Sequence, residues 1–279
     1  METRSHILIE GIKCYDPEQC QRYVDYPDDG FDLTGELENS SFWCRSRNRI
    51  LKAILLKYCA SRTRPRFLEV GCGTGYLLRE LVRDCDFEVT GSEVYLRGLI
   101  YAKDKLPGVE LIQVDARRIP FREEFDVIGA FDVIEHIDDD EAVIASVCHA
   151  LKSGGYFVVT VPQYQFLWSP LDDLVKHKRR YERREMLTKL RKSGFEVVFA
   201  SSFVCTLFPL MLVSRVLDRG IACDANSKEE FERRVSLPAS LNWLFDKVMR
   251  IDEALIGWGI SLPVGGSLLV VARKGLSSS

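Results

Sequence analysis

The residues best placed to do chemistry are acids that close runs of β-branched and aromatic residues. Glu69 lies in Phe67-Leu68-Glu69-Val70, directly before Gly71-Cys72-Gly73-Thr74-Gly75. Glu93 ends the run Phe87-Glu88-Val89-Thr90-Gly91-Ser92-Glu93, and Asp115 closes the run that starts at Val109. Asp132 and the pair Glu135-His136 follow Phe125-Asp126-Val127-Ile128-Gly129-Ala130-Phe131. Alternating glycines strip the side chains from one loop, so the backbone there turns sharply or lets a ligand approach closely. A phosphate needs backbone N–H groups and a helix N-terminus aimed at it, and the Glu69 carboxylate would repel it. The spacing is also Gly-x-Gly-x-Gly, not the Gly-x-Gly-x-x-Gly of dinucleotide binders. A cationic ligand without phosphate suits these residues better. At a strand end, Glu93 can accept hydrogen bonds from both hydroxyls of a ribose. An imidazole ordinarily titrates near neutral pH, so His136 is a candidate to take a proton from a hydroxyl or amine; a purely loop-holding histidine is the alternative.

The elements that position these groups follow from periodicity. Phe67–Val70 is a buried strand, and Leu77, Leu78 and Leu81 resume after the glycines at helical spacing. Further strands are predicted at 87–93, 109–116, 125–130, 156–162, 195–200 and 267–273. Helices are predicted at 43–60, 95–105, 138–150 and 182–192. Lys152 and Gly154-Gly155 are expected to close the helix that begins with Asp138-Asp139-Asp140-Glu141.

The stretch Glu69-Val70-Gly71-Cys72-Gly73-Thr74-Gly75 resembles motif I of class I S-adenosylmethionine-dependent methyltransferases. The run Asp126-Val127-Ile128 with Val133-Ile134-Glu135-His136 resembles the fourth-strand motif of the same family. The resemblance covers roughly residues 42–200 and 265–274. It implies a doubly wound α/β, Rossmann-like fold: a seven-stranded, mostly parallel sheet whose last strand runs antiparallel beside the fifth. The implied cofactor is S-adenosyl-L-methionine, with S-adenosyl-L-homocysteine as product. The positions implied to hold it are Glu69, Gly71, Cys72, Gly73, Gly75, Glu93 and Val94. Asp115 would accept from the adenine amino group while the Ala116 N–H donates to the ring. Ala130, Phe131 and Asp132 would line the sulfonium side. Trp43 and Arg47, at the start of the first long helix, can touch the adenosine or the methionine carboxylate; an aromatic staple with a solvated basic face is the other reading.

After Pro162 comes Trp168-Ser169-Pro170-Leu171-Asp172 and then Lys176-His177-Lys178-Arg179-Arg180-Tyr181. His177 and Tyr181 join His136 as candidate catalytic residues. A loop salt-bridged onto the sheet edge is equally compatible with this set. The basic run can also meet an anionic acceptor. Residues 1–42 read as an arm of loop, 43–200 with 265–279 as the core, and 201–264 as a helical insertion. Leu241, Trp243, Leu244, Phe245, Val248 and Ile251 suggest an amphipathic helix within it. Lid, dimer contact and a surface resting on a membrane that holds a lipid-linked acceptor all fit this insertion.

Bulk properties exclude several classes. With 279 residues, 46% apolar and 28% charged, the chain can bury a large core. A net charge of −3 offers no basic field for nucleic acid. No stretch reaches the ~20 apolar residues of a membrane span. The nine cysteines lack metal-site spacing, so reduced thiols, a cytoplasmic setting and no metal are expected. A small-molecule acceptor and a monomer or homodimer complete the expectation. A non-catalytic cofactor-fold subunit and a nicotinamide-dependent oxidoreductase stay open as alternatives.

Overall fold

The computed structural model describes residues 5–22, 35, 38, 40–59, 62–217, 234 and 236–276. In chain order the elements are β1 (Ile7–Ile9), β2 (Ile12–Cys14), α1 (Pro17–Arg22), α2 (Phe42–Cys59), β3 (Arg66–Val70) and α3 (Tyr76–Asp84). Then come β4 (Glu88–Glu93), α4 (Leu96–Lys105), β5 (Glu110–Gln113), β6 (Phe125–Phe131), α5 (Asp140–Ala150) and β7 (Leu151–Pro162). The chain continues through α6 (Pro170–Leu174), α7 (Arg183–Lys192), β8 (Phe195–Phe203), α8 (Phe208–Leu217), α9 (Ala239–Gly257) and β9 (Ser267–Lys274).

The strands form one sheet in the order β1-β2-β5-β4-β3-β6-β7-β9-β8. Strands β5, β4, β3, β6 and β7 run parallel, and β9 inserts antiparallel between β7 and β8. The seven strands from β5 to β8 in this order have the expected topology. The order reverses between β3 and β6, because β3 leads outward to β4 and β5 while β6 starts the other half. Such a switch point opens a crevice at the carboxyl ends of the two strands.

Helices cover both faces. Ile50, Leu51, Ile54 and Leu55 of α2 join Leu77, Leu78 and Leu81 of α3 and Leu99 of α4 in one core. Val143, Ile144 and Val147 of α5 join Met186 and Leu190 of α7 in the other.

The fold departs from the expectation in three places. The arm is not only loop: β1 and β2 form a hairpin, and β2 extends the sheet parallel to β5. Its two-residue turn is Glu10-Gly11, with φ of 52° and 72°, the left-handed pair that a tight hairpin needs. Ile12 and Cys14 are buried, which fastens the hairpin to the core. Secondly, Gly154 and Gly155 do not cap α5. They lie within β7, where the register against β6 shifts. A Cβ on Gly155 would come within 3.0 Å of the Asp126 carbonyl oxygen.

Thirdly, α9 turns only part of the expected apolar face inward: Phe245 and Val248 pack against the core. Leu241, Trp243, Leu244 and Ile251 are exposed, while Met249, Asp252 and Ile256 are buried. The reason is long-range charge pairing with α2. Arg49 binds Asp246 at 2.8 Å and Glu253 at 2.6 Å, and the Phe42 and Phe245 rings meet edge-on at 5.3 Å. Asp252 accepts from the Cys205 N–H at 2.6 Å and the Thr206 N–H at 3.2 Å. Among the described residues no helix is long and apolar enough to cross a membrane, and the cysteines Cys14, Cys44, Cys59, Cys72, Cys85, Cys148 and Cys205 are free.

Candidate active site

The three loop glycines serve different ends. All have positive φ: 70° at Gly71, 51° at Gly73 and 76° at Gly75. A Cβ at Gly71 would strike Val133 Cγ2 at 2.5 Å, and one at Gly75 would strike Leu106 Cδ1 at 2.4 Å. At Gly73 nothing lies within 4 Å. Two glycines therefore allow packing, and the middle one borders open space. Cys72 is buried, with its N–H on the Ser92 carbonyl.

Around that loop the acids gather. Glu93 is buried and accepts from the N–H groups of Val94 at 2.7 Å, Gly73 at 3.2 Å and Tyr95 at 3.3 Å. Burial raises its pKa, and these three donors pull it back. Glu69 is 5% exposed, and its Oε2 has no hydrogen-bond partner. Burial pushes its pKa up to about 8, against the opposing pull of Arg47 and with a further push from Glu38 and Glu93. Glu38, in the arm, accepts from the Thr74 hydroxyl, and burial raises its pKa too. Its position in the arm gave no periodic signal, so sequence reasoning missed it.

Across the crevice, Asp132 sits at φ 57° just past β6. Its Oδ2 accepts from Arg47 Nη1 at 2.8 Å and from the Thr160 hydroxyl at 3.2 Å. Arg47 is therefore not on a solvated basic face: it reaches into the site, with Trp43 stacked on its guanidinium at 4.9 Å. The Arg47 Nε finds no partner.

Several expected contacts are placed otherwise. Ala130 and Phe131 pack into the two cores, so the carboxyl end of β6 presents Asp132 instead of their side chains. A Cβ on Gly129 would fall 2.4 Å from the Phe131 ring, which folds back over that glycine. Asp115 is tied to its own turn: it accepts from the Arg117 N–H at 2.9 Å and from Arg117 Nη2 at 2.6 Å. An adenine amino group would have to compete with that guanidinium. Ala116 is buried beside it.

Tyr181 must be withdrawn as a catalytic candidate. It is wholly buried, and its hydroxyl donates to Asp140 Oδ2 at 2.6 Å. Burial, then this bond, raises its pKa far above the usual phenol range. The two histidines do come together, edge to face at 4.9 Å. Burial and the neighbouring His177 lower the His136 pKa to about 4, so His136 is neutral at pH 7 but a weaker base than an ordinary imidazole. His177 Nδ1 lies 2.8 Å from Asp172 Oδ1. Asp172 is itself gripped by Arg180 Nε at 2.7 Å and by the Ser169 N–H at 2.8 Å. Burial raises and these bonds lower the Asp172 pKa, for a net fall to about 2. Close to both rings lies Glu135, fully buried, with neither carboxylate oxygen hydrogen-bonded.

These features test the implied cofactor. A sulfonium and an ammonium need anionic partners, and Glu69 offers an orphaned buried carboxylate beside a glycine that faces open space. A ribose needs an acceptor, and Glu93 lies at the end of the second core strand. The residues fit S-adenosylmethionine.

Fold and site together define a class I, S-adenosylmethionine-dependent methyltransferase domain. The chain belongs to the family described as "Methyltransferase domain", whose model matches residues 38–199. One relative, from Mycolicibacterium smegmatis and described as a probable S-adenosylmethionine-dependent methyltransferase, is 29% identical over 59% of this chain and 65% of its own length. This chain thus spans a little under two thirds of that relative. Among solved structures, phosphoethanolamine N-methyltransferase 2 of Haemonchus contortus, in complex with S-adenosyl-L-methionine, superposes with a TM-score of 0.58 at 19% identity. That match covers 91% of this chain and 58% of the other. The [4+2]-cyclase SpnF superposes with a TM-score of 0.53 at 22% identity, covering 81% of each chain. These structural likenesses concern the fold, which hosts more than one chemistry.

Proposed function

We propose that this chain transfers the methyl group of S-adenosylmethionine to an oxygen, nitrogen or carbon atom of a small-molecule acceptor, releasing S-adenosylhomocysteine. The observation that carries this reading is the set of acids near the glycine loop, with Glu69 and Glu93 buried and Glu38 and Asp132 half-buried. Arg47 is the basic group that reaches Asp132 and partly offsets the burial that raises the pKa of Glu38 and Glu69. Such a site attracts a cationic nucleoside and rejects a diphosphate.

When bound, the cofactor supplies an already electrophilic methyl group. The chain's part is then to orient and to exclude water. Alignment of donor and acceptor can supply ~7–11 kcal/mol of the barrier reduction. Glu93 would fix the ribose, Glu69 the cationic end and Arg47 the carboxylate. The acceptor would approach from the His136–His177 side.

The basic run gives little support to an anionic acceptor, because its charges are largely paired within the protein. Lys178 binds Asp138, Arg179 lies 3.4 Å from Asp140, and Arg183 donates to the Leu262 carbonyl at 2.9 Å. Residues 201–264 carry exposed Leu210, Val213, Val216, Leu241 and Trp243. This apolar surface suits a cover over the acceptor or a contact with a second copy.

Calorimetry of the purified chain with S-adenosylhomocysteine and with NAD tests the reading. Binding of the first and not the second is expected. Replacing Glu93 by alanine should weaken S-adenosylhomocysteine by tenfold or more, since hydrogen bonds to charged groups are worth about 1.5–3 kcal/mol. Asp115→Ala should cost less, because Arg117 already occupies that carboxylate. Cofactor binding with no turnover across a panel of hydroxylated and aminated small molecules would turn the reading toward a non-catalytic subunit.

A further inference from the structure

The Glu135, His136 and His177 side chains make a cluster that methyl transfer from S-adenosylmethionine does not by itself call for. One donor atom from each, a carboxylate oxygen and two ring nitrogens, lies within 4.8 Å of the others. His177 Nε2 is 3.7 Å from Glu135 Oε1. Two donors held about 2.1 Å from one metal ion stand about 3–4 Å apart, so small side-chain adjustments close this set around an ion. Glu135 supplies an independent sign. It is 0% exposed, and both its oxygens lack a hydrogen-bond partner. A buried carboxylate left so is costly unless a charge pairs with it. Arg47 acts on Glu135 only through space, as does Arg180.

The surroundings of the histidines match how proteins hold metal ligands. A ligating imidazole normally gives its other nitrogen to a carboxylate or a backbone carbonyl, which sets the tautomer and aims the ring. His177 gives Nδ1 to Asp172, and Asp172 is locked by Arg180 and Ser169. His177 thus keeps Nε2 for the cluster. The polar set Trp168-Ser169…Asp172…His177…Arg180 becomes intelligible as the frame that delivers one ligand.

We propose that Glu135, His136 and His177 bind a divalent transition-metal ion at the acceptor side of the site. Two histidines and one carboxylate favour manganese, iron, cobalt or zinc over magnesium or calcium, which prefer oxygen ligands. Three protein ligands leave coordination positions open. On the methyl-transfer reading, on which this part alone rests, those positions face the acceptor and take an oxygen of it. The acceptor class that follows is one with a hydroxyl, phenol or carboxylate beside the atom to be methylated.

The test uses the untagged chain, stripped with a chelator, and titrated with Co²⁺ and separately with Mn²⁺. Visible absorption reads bound cobalt, and calorimetry gives the stoichiometry. One ion per chain is expected, with no displacement by equimolar Mg²⁺. Glu135→Gln and His177→Gln should each abolish binding, and Asp172→Asn should weaken it by about 10–100-fold, the usual cost of losing a partner behind a metal ligand. His149→Gln, on α5 away from the cluster, should bind as the parent does. S-adenosylhomocysteine is titrated into every variant in parallel as a check on folding. A parent chain that binds S-adenosylhomocysteine but no Co²⁺ or Mn²⁺ overturns the metal site and leaves the cofactor reading standing. Metal uptake without S-adenosylhomocysteine binding does the reverse. Equal uptake by the parent and the His177→Gln variant also overturns the site.

Discussion

Arg47 of α2 donates to Asp132 at the end of β6 at 2.8 Å, and this bond links the first long helix to the switch point of the sheet. Both side chains are 17% exposed. Breaking a pair so shielded leaves an uncompensated charge, which typically costs ~3–5 kcal/mol. Arg47→Ala should therefore lower unfolding stability by several kcal/mol in urea titration and also weaken S-adenosylhomocysteine. Arg47→Lys should recover part of the stability and less of the affinity, because it lacks the planar fork. An Arg47→Ala chain with parental affinity would remove this residue from the cofactor site.

Glu69 makes cofactor affinity depend on pH. Its pKa is about 8, raised by burial. A cationic ligand selects the ionised form, so at pH 7 binding must release a proton. Affinity for S-adenosylmethionine should rise between pH 6 and pH 9, and calorimetry in buffers of different ionisation heat should show that proton. Stability runs the other way. The native state holds this proton up to about pH 8, whereas an unfolded chain loses it near the ordinary value of 4.5. The stability contributed by protonated Glu69 is present at low pH and falls as pH rises from 4.5 through 8. Glu69→Gln should flatten both profiles, and it should bind the cofactor weakly at every pH.

Gly71 and Gly73 should respond differently to alanine. At Gly71 the new methyl would meet Val133 at 2.5 Å, and φ is unfavourable as well; this variant should be strongly destabilised. At Gly73 the methyl enters open space, so the cost is the backbone strain alone, roughly 1–2 kcal/mol. Gly73→Ala should fold, with a modestly lowered Tm, yet lose S-adenosylhomocysteine. Intact binding in Gly73→Ala would mean that the open space beside this glycine is not the cofactor's.

Tyr181→Phe separates structure from catalysis. The lost hydroxyl leaves Asp140 with Lys189 at 2.6 Å and Arg179 at 3.4 Å. A stability loss of about 1–3 kcal/mol is expected, with turnover at saturating substrate unchanged. A kcat reduced by orders of magnitude in a fully folded variant would restore Tyr181 to the chemistry.

Most of the parallel sheet and the acids at its strand ends were legible from local pattern, because buried strands are continuous apolar runs and the glycine loop has few alternative uses. What escaped depended on partners far away in the chain. The inward face of α9 carries Asp246 and Asp252, and an apolar-periodicity reading turns such acids outward. They point inward because Arg45 and Arg49, about 200 positions earlier, and the Cys205 and Thr206 N–H groups meet them. Tyr181 ends a run of five basic and imidazole side chains, so nothing local marks it as the most buried large residue of its segment. Asp115 looked like a ligand for adenine, and Arg117 two residues on was available to claim it first. The β1–β2 hairpin was too short to show alternation, leaving Glu10-Gly11 as its main local trace.

That hairpin has a consequence for how the molecule behaves among its own copies. Without it, β5 would present bare amide and carbonyl groups along the rim of the sheet, a template for pairing with any extended chain. With it, the outermost strand among the described residues is Ile7–Ile9, three residues long, too brief to recruit a neighbour. The same segment anchors the rim from within, since Asp16 receives the Asp115 N–H at 3.2 Å and an Arg118 guanidinium at 3.2 Å. Trimming the chain through Asp16 would both uncover a sticky border and slacken the turn that carries Asp115.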